Sequence, residues 1–74
     1  MEQTMTKNEL ASILLQMYKK DKATGIHLFG IKYASDLDRL DTTNAEMIKL
    51  AGLKSSYFAE LAKGRRLAKW VILK

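Results

Sequence analysis

Apolar residues fall in helical rhythm along most of this chain. Leu10, Ile13, Leu14 and Met17 sit at i, i+3, i+4 and i+7, and Leu15 and Tyr18 widen the stripe, which predicts a helix with one buried face. Thr6 followed three residues later by Glu9 has capping-box spacing, in which each side chain satisfies an otherwise orphaned amide near the helix start, so the helix is expected to begin at Lys7. It should end near Lys20, where Lys19 and Lys20 suit the negative end of the helix dipole. Asp21 to Gly25 reads as a loop. Ile26, Phe29, Tyr33, Leu37 and Leu40 share a second helical face, predicting a helix from about Leu28 to Arg39, with Thr24–His27 either its cap or a short strand. Gly30 inside that helix costs about 1 kcal/mol relative to alanine. A close backbone contact with the first or fourth helix would give it a purpose.

The pattern tightens after Asp41-Thr42-Thr43. Thr43 with Glu46 repeats the capping box, and Met47, Ile48 and Ala51 form an apolar side with Leu50 on its shoulder, predicting a third helix from Asn44 to about Ala51. Gly52 is placed to end it in the left-handed conformation. Ser55 is the expected N-cap of a fourth helix over Ser56–Lys63 that stops at Gly64. Beyond it, Trp70, Val71 and Ile72 favour a strand, although Leu67-Ala68-Lys69 leaves a fifth helix open. A strand needs a partner, either residues 24–27 or the same strand of a second subunit. The expected fold is therefore mainly α: a single four-helix helix-turn-helix domain over residues 1–74, with a short C-terminal β-strand and with residues 1–5 disordered.

Met47 to Gly64 has the parts that a helix-turn-helix requires. Ile48 and Ala51 face inward, Gly52 makes the turn, Leu53 plugs the corner, and Phe58 with Leu61 docks the second helix. This docking leaves Lys54, Ser56, Tyr57, Ala59, Glu60 and Lys63 on the outer face. Ser56 and Tyr57 suit phosphate or base edges, and Ser55 with the free amides at the helix start suits a phosphate. Ala59 allows close approach to a thymine methyl, and Glu60 suits a cytosine amino group while repelling phosphate elsewhere. Lys54, Lys63, Arg65 and Arg66 would flank the groove and contact backbone. The competing reading is that any two packed helices joined by a glycine turn produce much of this spacing.

Charge favours the binding reading. Through Asp41, Lys7, Lys19, Lys20, Lys22, Lys32 and Arg39 are balanced by Glu2, Glu9, Asp21, Asp36, Asp38 and Asp41. All of the net +5 falls after that point, where Lys49, Lys54, Lys63, Arg65, Arg66, Lys69 and Lys74 face only Glu46 and Glu60. Such asymmetry points to a polyanion, although a solvated basic surface gives the same count. With 74 residues and no cysteine, the chain has neither a disulfide nor a thiolate metal site to staple a thin core. The polar N-terminus lacks a signal core, and no apolar run approaches the roughly 20 residues of a membrane span, so a cytoplasmic protein is expected.

Gly52 to Gly64, GLKSSYFAELAKG, resembles the turn and recognition helix of repressor-type helix-turn-helix proteins, which often end in a basic residue and glycine. Ile48 departs from the alanine usual in that family, and a bulkier residue there bears on the interhelix angle. Over roughly residues 7–74 the chain is similar to a family of small bacterial proteins described as HTH-like domains. The residues carrying this likeness are Ile26 to Ala34 (IHLFGIKYA), Ala51-Gly52-Leu53, Ser56-Tyr57, and Lys63-Gly64 through Leu67-Ala68-Lys69.

The leading expectation is a transcriptional regulator that places helix 55–63 in the major groove of double-stranded DNA, with no cofactor. One module buries little surface, so useful specificity calls for a homodimer reading half-sites about 34 Å apart. The alternative is an adaptor or a small phage- or plasmid-type inhibitor, docking through the helix-turn-helix surface or the strand Trp70-Val71-Ile72-Leu73. An exposed Trp70 and Ile72 beside a free strand edge would favour that alternative and a buried Trp70 would weaken it; core packing is the expectation for Trp70. An enzyme is not expected, for the sequence pairs no acids or nucleophile and base. His27, the only histidine, has no second ligand near it in sequence, and Asp36, Asp38 and Asp41 read as a solvated helix end.

Overall fold

Thr6 starts the first helix as its spacing predicts. In the computed structural model, which describes residues 5–71, the Glu9 amide donates to Thr6 Oγ1 at 3.1 Å and the Thr6 amide donates to Glu9 Oε1 at 2.8 Å. Met5 already packs against the core, so the expected disorder does not extend to it; residues 1–4 lie outside the described part. Helix α1 then runs Lys7–Lys32, but it is broken at Lys22, whose φ of 57° and ψ of −135° are not helical. A Cβ added at Gly25 would lie 2.0 Å from the carbonyl oxygen of Met17. Eight residues of unbroken helix would separate those positions by about 12 Å. The chain therefore doubles back, and α1 is a hairpin of two helical arms. The loop expected over Asp21–Gly25 contracts to one reversed residue, and Thr24–His27, read as a cap or short strand, is helical.

Tyr33, with φ −110° and ψ 18°, separates α1 from α2 (Ala34–Arg39), so the single helix expected over 28–39 is divided. Two turns of the same design follow. After α2, Asp41 takes φ 54°, its amide bonds Asp38 O at 3.1 Å and the Thr42 amide bonds Leu37 O at 3.3 Å. After α3 (Asn44–Leu50), Gly52 takes φ 74°, its amide bonds Lys49 O at 3.0 Å and the Leu53 amide bonds Ile48 O at 3.1 Å. Both are Schellman motifs, in which a left-handed residue lets two amides recover the last helical carbonyls. The second one makes the predicted glycine turn and sets Leu53 over Ile48.

The fourth helix starts later and ends later than expected. Ser55–Tyr57 forms a 3-10 turn, with Lys54 rather than Ser55 at its N-cap and no side-chain cap, and α4 covers Phe58–Leu67. Gly64 lies inside α4, buried against α1: a Cβ there would stand 2.4 Å from His27 O and 3.1 Å from Gly30 Cα. The contact is reciprocal, since a Cβ at Gly30 would stand 2.9 Å from the Arg65 amide nitrogen. Two glycines thus let the backbones of α1 and α4 touch, which is the use for Gly30 that its helical cost implied. Leu67-Ala68-Lys69 carries the chain on helically, and Ala68–Trp70 closes in a turn with the Trp70 amide on Leu67 O at 2.8 Å. The C-terminal β-strand is therefore corrected: no strand occurs among the described residues. Residues 24–27, its proposed partner, are helical, while Ile72–Lys74 lie outside the described part.

The core is built from both arms of α1 and from each later helix. Leu10, Leu14, Ile26, Phe29, Leu37, Met47 and Leu61 are fully buried, and α4 packs chiefly on α1. No helix of the described residues is long and apolar enough to cross a membrane.

Candidate nucleic-acid interface

The orientation of α4 follows from its glycine. Gly64 and Leu61 are buried, Tyr57 is half-buried one turn before Leu61, and Phe58 is 46% exposed. Docking therefore runs through Tyr57, Leu61 and Gly64, and the predicted pair Phe58 and Leu61 is half corrected. Phe58 and Tyr57 are both large and aromatic, so apolar spacing alone cannot choose between them. Backbone contact at Gly64 turns the helix so that Tyr57 faces in.

This rotation sorts the predicted site residues into two groups. Lys54, Ser55, Ser56, Ala59, Lys63 and Arg66 are exposed. At 100° per residue, Ala59, Lys63 and Arg66 fall within a sector of about 60° opposite Leu61. Among the described residues none of these six side chains is held in a hydrogen bond or ion pair, so the face is unencumbered. Their small, hydroxyl and cationic groups are what an approach to a phosphate-lined groove requires.

Tyr57, Glu60 and Arg65, also predicted for the outer face, serve the fold instead. Tyr57 packs its ring 5.2 Å from that of Tyr18, and the two hydroxyls lie 3.2 Å apart. The Tyr18 hydroxyl holds the Tyr57 phenol above its ordinary pKa, and burial adds to the shift. Glu60 Oε1 lies 3.4 Å from His27 Nδ1 on α1, turned away from any groove. Arg65 reaches back to the loop before α3, donating to Asn44 Oδ1 at 2.6 Å, Asp38 Oδ1 at 2.5 Å and Thr42 O at 3.3 Å. One guanidinium thus ties α4 to α2, to the connecting loop and to the first residue of α3. Adjacent arginines have opposite duties, because Arg65 sits about 40° from Leu61 around the helix and Arg66 about 140°.

A second tie holds α3. The Glu46 amide donates to Thr43 Oγ1 at 3.1 Å, as the capping box predicts. Its carboxylate does not return to the cap; it accepts from Thr42 Oγ1 at 2.7 Å and from Lys7 Nζ at 3.2 Å. The Thr42 bond first, then the Lys7 bond, holds the Glu46 carboxyl below its ordinary pKa. Lys7 so links the start of α1 to α3.

A family model described as an HTH-like domain matches residues 6–74. The chain belongs to the HTH-like domain family. Searches of curated proteins and of solved structures returned no match. In this HTH-like domain the helix-turn-helix proper is α3, the Gly52–Lys54 turn and α4 with its 3-10 lead. Ile48 is buried and its carbonyl accepts from the Leu53 amide, so the bulk at the position usually held by alanine is accommodated with the turn intact.

Two exposed aromatics were not legible as surface features. Phe58 lines an open, largely apolar groove of about 760 Å³ with Ala45, Ile48, Lys49, Gly52, Leu53 and Ser55. Trp70, for which core packing was expected, is 80% exposed. It follows the last turn of α4, beyond every layer of the core. Among the described residues no group of acidic and histidine side chains is placed to hold a metal ion.

Proposed function

We propose that this HTH-like domain is a DNA-binding protein that acts by binding rather than catalysis, as a transcriptional regulator. Its 3-10 turn and α4 enter the major groove. The observation that carries the reading is the row Ala59, Lys63 and Arg66, exposed on the side of α4 opposite its docking residues, with Lys54, Ser55 and Ser56 exposed at its head. The small Ala59 permits close approach, the serines and the leading amides take phosphate or base edges, and Lys54, Lys63 and Arg66 neutralise phosphates. A homodimer with half-sites about 34 Å apart would supply the surface that one such module lacks.

The test is titration of a labelled duplex at several salt concentrations. Binding should weaken with a log–log slope of about −0.9 per phosphate neutralised, on the order of −3 for Lys54, Lys63 and Arg66 together. Lys63→Glu with Arg66→Glu should abolish binding while leaving the helical content intact. Weak binding that is flat with salt would refute the proposal.

The groove beneath Phe58 favours a second reading, an adaptor or inhibitor that seats an apolar side chain of another protein beside the helix-turn-helix turn. Phe58→Ser would weaken such an interaction and leave salt-dependent DNA binding in place.

A further inference from the structure

Trp70 is the only tryptophan of the chain and the most exposed large apolar side chain among the described residues, at 80%. An indole left in water forgoes the burial that a core position would give it. The residues leading up to it are cationic. Lys63, Arg66 and Lys69 precede it by seven, four and one residues, and all three are exposed. Trp70 follows in the turn that closes α4, just past the row Ala59, Lys63, Arg66 on the face opposite Leu61.

From these positions we infer that Trp70 is a nucleic-acid contact, laying its indole on the sugar or base of the strand whose phosphates Lys63, Arg66 and Lys69 hold. The inference rests on the DNA-binding reading and extends it beyond the recognition helix. Ala59 and Leu67, the last residue of α4, are about 12 Å apart along the helix axis, and Trp70 lies three residues further on. When Ala59 lies against base edges, Trp70, beyond the last turn of α4, meets the sugar-phosphate strand next to those bases, where deoxyribose is the apolar surface on offer. A second copy of the chain fits this patch poorly. A two-fold contact through Trp70 would crowd the cations Lys63, Arg66 and Lys69 of both copies into one interface.

The single indole makes the test direct. A mixed-sequence duplex of about 30 base pairs, end-labelled, and one of its single strands are titrated at low salt, where sequence-independent binding is measurable. DNA anisotropy and tryptophan emission are followed together. Emission should be quenched in step with the anisotropy, and Trp70→Ala should weaken binding on the order of tenfold without changing the salt slope. Trp70→Phe should recover most of that loss, and far-UV circular dichroism should show all variants folded, since Trp70 is not in the core. Stronger quenching on the duplex assigns the sugar wall; stronger quenching on the single strand assigns base stacking, and either supports the contact. Salt-steep binding with unchanged emission and an unaffected Trp70→Ala variant would overturn the inference and leave the DNA-binding reading standing. A concentration-dependent blue shift without DNA would also overturn it, by showing Trp70 buried between copies or in another protein-like contact. No anisotropy change with either probe would instead defeat the underlying reading.

Discussion

Gly64→Ala gives the sharpest test of how α4 is seated. Two effects oppose each other. Alanine gains about 1 kcal/mol over glycine in a helix interior. The added Cβ would stand 2.4 Å from His27 O and 3.1 Å from Gly30 Cα, both backbone atoms of α1 that cannot swing aside. Reaching ordinary contact requires α4 to retreat by about 1 Å, and forcing a group into a packed interior costs about 1–3 kcal/mol. Because backbone meets backbone, the upper end applies, and the net loss is about 2 kcal/mol. For a domain of this size that lowers the melting temperature by roughly 8–16 °C. Thermal and urea unfolding followed by circular dichroism measure it. Ala59→Gly on the exposed side of α4 is the control, losing about 1 kcal/mol through propensity alone. The sign decides the matter: if Gly64→Ala is more stable than the parent, α1 and α4 do not touch at this glycine and the rotation assigned to the recognition helix is wrong.

The remaining predictions separate residues that look alike in the sequence. Arg65→Ala should cost about 1–2 kcal/mol of stability by releasing Asn44, Asp38 and Thr42. Arg66→Ala should change stability by less than about 0.5 kcal/mol while reducing the salt slope of DNA binding by about 0.9, so urea melts and salt titrations of both variants check the pair. Gly52→Ala should destabilise by about 1 kcal/mol, through left-handed backbone strain alone, because no atom lies within 4 Å of the added Cβ; Gly52→Asn should cost less, and equal losses would point to a clash instead. Glu46 is held below its ordinary 4.5, so the stability it contributes is complete above that pH and is lost as pH falls through its folded value. Thr42→Val removes the larger cause, and NMR titration of the Glu46 carboxyl carbon should show its pKa rise toward 4.5.

How much of this was legible follows the range of the interactions. Caps and turns are local, so the Thr6–Glu9 box, the Thr43 half of the Thr43–Glu46 pair, Gly52 and the extent of α3 could be read from spacing. The core positions Leu10, Leu14, Ile26, Phe29 and Leu37 follow from periodicity. Three features depend on distant contacts and could not be read. The reversal itself is legible as the loop over Asp21–Gly25, but not its narrowing to the single residue Lys22. Gly64 looks like a helix stop because glycine usually is one, whereas here it answers Gly30 across the α1–α4 contact. That contact in turn selects Tyr57 over Phe58 for docking and moves Glu60 and Arg65 off the reading face. The C-terminal strand follows from β-propensity at Trp70, Val71 and Ile72, whereas the described part of that segment holds Ala68–Trp70 in a turn with Trp70 in solvent.

The division of labour between Arg65 and its neighbour bears on how new specificity can arise on this scaffold. Every group that fixes the pose of α4 lies on its inner side or reaches inward: Tyr57, Glu60, Leu61, Gly64 and Arg65. Ser56, Ala59, Lys63 and Arg66 hold nothing else in place among the described residues. The outer row can therefore be rewritten residue by residue with little penalty in folding, like type reset in a fixed frame. Variant libraries restricted to those four positions should remain almost entirely folded, whereas libraries at the inner five should not.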